Sequence, residues 1–207
     1  MPPGASGGRE PAIGGPEPEP APAATGLLTS ALERWRAVQP GLLVLAIDGP
    51  GGSGKSTIAA AVAAATGAAL VHTDDFFRAV PPAAASGARD LRRYYDWRRL
   101  RAEALEPLRA GHGAQFRRFD WNRGHGTDGT DGTVAVQPSD LIVVEGVFSA
   151  SPELGDQVDR SVLVDTPEPE RLRRLRLRVA PEEWDDEWLA AWPARHRPFE
   201  PDRVMPA

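Results

Sequence analysis

The chain holds one lysine, Lys55, inside Gly49-Pro50-Gly51-Gly52-Ser53-Gly54-Lys55-Ser56-Thr57. That segment fits the phosphate-binding pattern G-x-x-x-x-G-K-[ST] at every fixed position. Everywhere else a cation is needed, the sequence uses arginine. An ammonium is a compact point charge that fits between the β- and γ-phosphates, whereas a planar guanidinium is broad for a ring of backbone N–H groups. In such a loop the Gly49, Gly51, Gly52, Ser53 and Gly54 backbone cradles phosphate oxygens. Lys55 bridges the outer phosphates, Ser56 offers a hydroxyl to Mg²⁺, and Thr57 reaches toward the α-phosphate. The implied ligand is a nucleoside triphosphate with Mg²⁺. A guanine-reading Asn-Lys-x-Asp segment is absent, which argues against a regulatory GTPase.

Carboxylates form the second chemical signal. Thr73-Asp74-Asp75-Phe76-Phe77 closes one short apolar run, and Glu145-Gly146 closes another. A hydroxyl that receives a phosphoryl group needs a carboxylate to orient it and take its proton. Neighbours leaving a strand point in opposite directions, so at most one of Asp74 and Asp75 faces an acceptor. The competing reading has both capping the next turn. Glu145 is placed for Mg²⁺ or the acceptor, with a salt bridge to an arginine as its alternative role. Arg173, Arg174, Arg176 and Arg178 crowd one segment, either as a solvated basic face or as lid arginines that balance charge on a transferring group.

The elements that must position these groups follow from periodicity. Leu42 to Ile47 reads as a buried strand entering the loop, and Ser56 to Thr66 as an Ala-rich helix stopped by Gly67. Ala68 to His72, Leu141 to Gly146 and Ser161 to Asp165 read as further strands. Leu27 to Val38, a segment bearing Trp97, Leu100, Ala104, Leu105 and Leu108, and Glu168 to Val179 read as helices, with a kink expected at Pro107. Strands alternating with helices predict an α/β fold, a three-layer α/β/α arrangement around a parallel sheet. Ligands of such sheets bind beyond the strands' carboxyl ends, where Asp48, Asp74, Asp75, Glu145 and Asp165 all fall.

Composition narrows the field. Residues 1–26 read as a disordered Pro/Gly/Ala-rich tail, and 27–207 as one domain with a lid near 171–195. Gly124 to Thr133 reads as a flexible loop rather than a calcium site. Trp184, Trp188 and Trp192 read as a packing stripe. There are no cysteines, so disulfides and thiolate metal sites are excluded. The net charge of −5 argues against a nucleic-acid partner. No apolar run is long enough to span a membrane, and a cytoplasmic location is expected.

Taken together, Gly49 to Thr57, Thr73 to Phe77, Tyr94-Tyr95-Asp96-Trp97, Arg118-Phe119-Asp120-Trp121, Val144-Glu145-Gly146 and Asp165-Thr166 resemble the uridine kinase and phosphoribulokinase family of P-loop kinases. The resemblance runs from about Leu42 to Arg178. It implies an ATP-dependent transfer of the γ-phosphoryl to a small-molecule hydroxyl, the 5′-hydroxyl of a nucleoside such as uridine or cytidine. Other acceptors, among them a nucleoside monophosphate, a vitamin precursor or a sugar, stay open, as does nucleotide binding with impaired catalysis. By the same resemblance Asp74 is the base, and Phe77 stands where the family often has tyrosine. Asp96 meets ribose hydroxyls, Phe119 meets the base, Glu145 lies near metal and acceptor, and Arg174 and Arg178 contact ATP phosphates. Two departures stand out: Val179 follows Arg178 where the family has aspartate, and a last strand is expected to be missing before Ala207.

Overall fold

A computed structural model describes residues 22–78, 91–119 and 132–178. In chain order the elements are α1 (Pro22–Val38), β1 (Leu43–Asp48), α2 (Lys55–Thr66), β2 (Ala69–His72), α3 (Trp97–Arg99), α4 (Glu106–Arg109), β3 (Ala114–Arg117), β4 (Thr133–Val136), β5 (Leu141–Glu145), β6 (Arg160–Leu163) and α5 (Glu168–Arg178). Short 3₁₀ turns cover Thr73–Phe76, Leu91–Tyr94 and Pro152–Leu154.

The sheet has strand order β2-β5-β1-β6, and every pair in it is parallel. The alternating side chains of β1 and β5 divide the core between the two faces. Val44, Ile142 and Val144 face α3, α4 and the segment between them, packing with Phe76, Leu100, Leu105 and Leu108. Leu43, Leu45, Ile47, Leu141 and Val143 face α1 and α2, packing with Leu28, Leu32, Ile58 and Val62. Both faces are covered, so these strands read as continuous apolar runs. Each fully buried Leu, Ile or Val contributes about 1.5–3 kcal/mol relative to exposure.

Helix α2 ends where expected. Gly67 takes φ 70°, and its N–H donates to the Ala63 carbonyl at 2.9 Å. The left-handed turn satisfies an orphan carbonyl at the last helical turn.

Three local outcomes differ from expectation. α1 starts at Pro22, inside the stretch read as tail, because proline at the first helical position loses no hydrogen bond and Ala23-Ala24 favour helix. The irregularity expected at Pro107 lies one turn earlier. Leu100–Leu105 winds as a π-helix joining α3 to α4, which makes room where a proline lacks an N–H and its ring crowds the preceding turn. β3 and β4 form an antiparallel hairpin that pairs Ala114 with Val136 and Phe116 with Val134. Asp120, Trp121, most of Gly124 to Thr133, the tryptophan stripe, the lid beyond Arg178 and the expected loss of a last strand fall outside the described residues. Among the described residues no helix is long and apolar enough to cross a membrane.

Candidate active site

Parallel register carries the chemistry-bearing residues to one sheet edge. β1 ends at Asp48, which leads into the glycine loop; β2 ends at His72 and β5 at Glu145, in register with each other. Lys55 opens α2 and is buried at 7% exposure, so its ammonium sits within the loop's surroundings rather than in bulk water. Ser53 is 3% exposed, and its Oγ has no hydrogen-bond partner among the described residues. A buried hydroxyl with nothing to donate to suits an anion's oxygen.

The loop is pressed against α5. Gly52 adopts φ 76°, and a β-carbon there would lie 2.6 Å from the Arg171 carbonyl oxygen. Arg171 is 7% exposed; its Nε donates to the Thr166 carbonyl at 3.1 Å and its Nη1 to that of Gly51 at 3.4 Å. Thr166 Oγ1 donates to the Ser53 carbonyl at 2.9 Å. Arg174 is steered by Glu170, its Nε lying 2.8 Å from Oε1, and its Nη1 reaches the Gly52 and Ser53 carbonyls at 3.5 and 3.4 Å. Arg173 also pairs with Glu170, but on the solvent side. Helical spacing therefore selects Arg171 and Arg174 for the loop. Arg176 is exposed. Arg178 closes the helix backbone, and its side chain lies outside the described residues. Arg171 went unassigned in the sequence; its three-residue offset from Arg174 was the available signal.

Glu145 is 4% exposed and accepts from the Ser56 hydroxyl at 3.1 Å on Oε2, while His72 Nδ1 lies 2.5 Å from Oε1. Burial works to raise its pKa. The His72 hydrogen bond, the charges of Lys55 and His72, and the Ser56 hydrogen bond outweigh that, and the carboxyl ends below its ordinary value. His72 moves the opposite way, raised first by its hydrogen bond to Glu145. Among the described residues Glu145 pairs with His72 rather than with an arginine. His72 itself was missed, although its place at a strand end beside two aspartates was a signal.

Asp74 and Asp75 lie within the 3₁₀ turn Thr73–Phe76, which follows His72 as its N-cap, so both sit inside the turn rather than at its cap position. Asp74 is exposed at its surface, and protein groups pack closely around its carboxyl. That crowding raises its pKa, with Lys55 opposing and Glu145 adding to the rise. Tyr95 donates to its Oδ1 at 3.3 Å. The Asp75 carbonyl accepts from the Phe119 N–H at 2.8 Å, which brings the hairpin's end to this turn.

The resemblance-derived acceptor residues cluster nearby. Phe77 stacks on Tyr94 with centroids 5.7 Å apart and meets Phe119 edge-on at 5.3 Å. Asp96 caps α3, accepting from the Arg99 N–H at 3.2 Å, and pairs with Arg78 at 2.9 Å. Its carboxylate is therefore already engaged by two protein donors. Phe77, Phe119 and Asp74 come together, with Asp96 on the flank.

The donor set near Lys55 suits a hard cation. Among the described residues no three His, Cys, Asp or Glu side chains gather into a metal cage. The Ser56 hydroxyl and Glu145 carboxylate are adjacent oxygen donors, the kind that Mg²⁺ takes together with phosphate oxygens.

The cytidylate kinase family profile matches residues 45–105, from β1 through the loop to the π-helical segment. No protein of curated function matches the sequence. Among solved structures, a possible uridine kinase from Bacillus stearothermophilus superposes with a TM-score of 0.55 at 23% identity, over 73% of this chain and 85% of that one. A provisionally assigned fructose transport system kinase from Silicibacter sp. TM1040 superposes with a TM-score of 0.58 at 23% identity, over 82% of this chain and 87% of that one. The resemblance read from the motifs and these likenesses agree on architecture: this chain has the α/β fold of the P-loop kinases.

Proposed function

We propose that the protein is an ATP-dependent kinase that transfers the γ-phosphoryl group to a hydroxyl of a small molecule, with a nucleoside 5′-hydroxyl as the leading acceptor. The observation that carries this reading is the convergence at one sheet edge of Lys55, the Ser56–Glu145 pair and Asp74, whose charges perturb one another. An exposed carboxylate beside a phosphate loop, its pKa raised above the ordinary value by the protein packed around it, suits a general base.

In the reaction, the loop amides and Lys55 hold the triphosphate while Asp74 accepts the acceptor's hydroxyl proton. The acceptor oxygen bonds to the γ-phosphorus, the bond from that phosphorus to the β–γ bridging oxygen breaks, and ADP leaves with the electron pair. Lys55 and Arg174 balance charge on the transferring group. Ser56 and Glu145 would hold Mg²⁺, which when bound neutralises charge on the β- and γ-oxygens. Phe77 and Phe119 offer flat apolar surface to a planar acceptor, and Asp96 offers a carboxylate to hydroxyls at the pocket's edge.

A second reading, a nucleoside monophosphate as acceptor, is favoured by the cytidylate kinase profile match and by Arg78, whose buried Nε beside the aromatic cluster has no hydrogen-bond partner among the described residues. Coupled ADP release with nucleosides, nucleoside monophosphates, pantothenate and fructose separates these acceptors. Uridine- or cytidine-dependent release that collapses in Asp74→Asn supports the nucleoside reading. ATP binding with no acceptor-dependent release sinks the kinase reading and leaves a nucleotide-binding protein.

A further inference from the structure

We infer that Tyr95 is a positioning residue for Asp74: its buried hydroxyl fixes one carboxylate oxygen, so that the other meets the acceptor. The inference rests on the kinase reading above and assigns a role to a residue which that reading leaves unused.

Tyr95 is 6% exposed, and its ring is held on three sides. It stacks on Trp97 with centroids 5.0 Å apart, and meets Phe77 and Phe148 edge-on at 5.5 and 6.0 Å. The backbone is fixed as well. Tyr95 bridges antiparallel to Phe77, and the next residue's N–H donates to the Phe76 carbonyl at 2.7 Å. Phe148, the wedge behind the ring, has φ 65°, a left-handed conformation that costs a side-chain-bearing residue energy and persists only when its surroundings impose it. Asp48 imposes it, accepting from the Phe148 N–H at 3.0 Å and the Ala150 N–H at 3.1 Å.

Among the described residues, a ring so confined uses its oxygen for the 3.3 Å bond to Asp74 Oδ1. Packing alone would be served by phenylalanine, which fills the same space and buries no hydroxyl. Asp74 sits on a short solvent-open turn and needs an anchor if its second oxygen is to meet a substrate at a fixed angle. Burial first, then the charge and hydrogen bond of Asp74 and the charges of Asp48 and Glu145, hold the phenol's pKa well above the ordinary value.

The chain has two tyrosines, so the test is clean. Protein isotope-labelled at the tyrosine Cζ carbon gives two NMR signals, and Tyr94→Phe identifies the one from Tyr95. In Asp74→Asn the Tyr95 signal should shift and titrate at lower pH, while the Tyr94 signal stays in place. Tyr95→Phe should keep its melting temperature and ATP KM but lose about tenfold in acceptor-dependent kcat, with no added loss in an Asp74→Asn background. A Tyr95 signal that Asp74→Asn leaves unmoved overturns the contact. A moved signal with wild-type kcat in Tyr95→Phe overturns the positioning role. The NMR arm needs no acceptor, so an error in the kinase reading is recognised separately, by wild-type protein that releases no ADP with any acceptor.

Discussion

Replacing Gly52 with alanine tests whether the phosphate loop is seated on α5. Two costs arise at Gly52. Its φ of 76° imposes a left-handed conformation, about 1–2 kcal/mol for alanine, and the new β-carbon would lie 2.6 Å from the Arg171 carbonyl oxygen. That oxygen is backbone and cannot swing aside, so loop and helix must separate by several tenths of an ångström. The bonds from Arg171 to Gly51 and from Arg174 to Gly52 and Ser53, already 3.4–3.5 Å long, would then be lost. Gly67 supplies the control, with φ 70° and nothing within 4 Å of a built β-carbon. Gly67→Ala should therefore show the conformational cost alone, a fall in melting temperature of about 2–8 °C. Gly52→Ala should fall further, by about 1–2 kcal/mol more, and lose about tenfold or more in ATP affinity because the loop amides lose their alignment. Thermal unfolding and calorimetric titration with ATP measure both. Equal melting temperatures for the two variants, with unchanged ATP affinity in Gly52→Ala, would refute the proposed seating.

Two further outcomes follow from Glu145 and its neighbours. The raised pKa of His72 stabilises the fold fully below its ordinary value of 6.5 and is lost as pH rises through the folded value; the lowered pKa of Glu145 stabilises above its ordinary 4.5 and is lost as pH falls through the folded value. The melting deficit of His72→Gln should therefore be largest between these limits and shrink at alkaline pH. It should stay near 1 kcal/mol or less, since the His72 side chain is 42% exposed and solvent screens the pair; a deficit independent of pH would contradict the assignment. Glu145→Gln keeps the shape but removes the charge, and should raise the Mg²⁺ concentration for half-maximal ADP release about tenfold or more. An unchanged Mg²⁺ requirement would remove Glu145 from the metal's neighbourhood.

Local chemistry made much of the fold readable in the sequence. Apolar runs bounded by turn residues located β1, β5 and β6, and the glycine loop fixed the start of α2. What escaped was non-local. The β3–β4 hairpin alternates buried and exposed side chains at Ala114–Arg117, but its partner strand lies beyond a low-complexity stretch, and only tertiary packing joins them. His72 gains its partner from the register of β2 against β5, which no local pattern encodes. Asp96 carried a helix-capping signal that the family resemblance overshadowed. Glu145 and Ser56, matched to one ion from their motifs, do meet. The aspartate pair was read as leaving an extended strand, whereas a 3₁₀ turn carries it.

Asp48 was passed over as one more acid at a strand end, yet three segments depend on it. Its carboxylate takes the amides of Gly49, Phe148 and Ala150, and its carbonyl takes that of Val164. The entry to the glycine loop, the turn after β5 and the segment leaving β6 therefore cannot loosen one at a time. Amide exchange at Gly49, Phe148, Ala150 and Val164 should proceed through one shared opening with a common free energy. On the proposed reading, the part of the site for phosphate and the part for acceptor would thereby form a single cooperative unit, and damage to either would be felt in both.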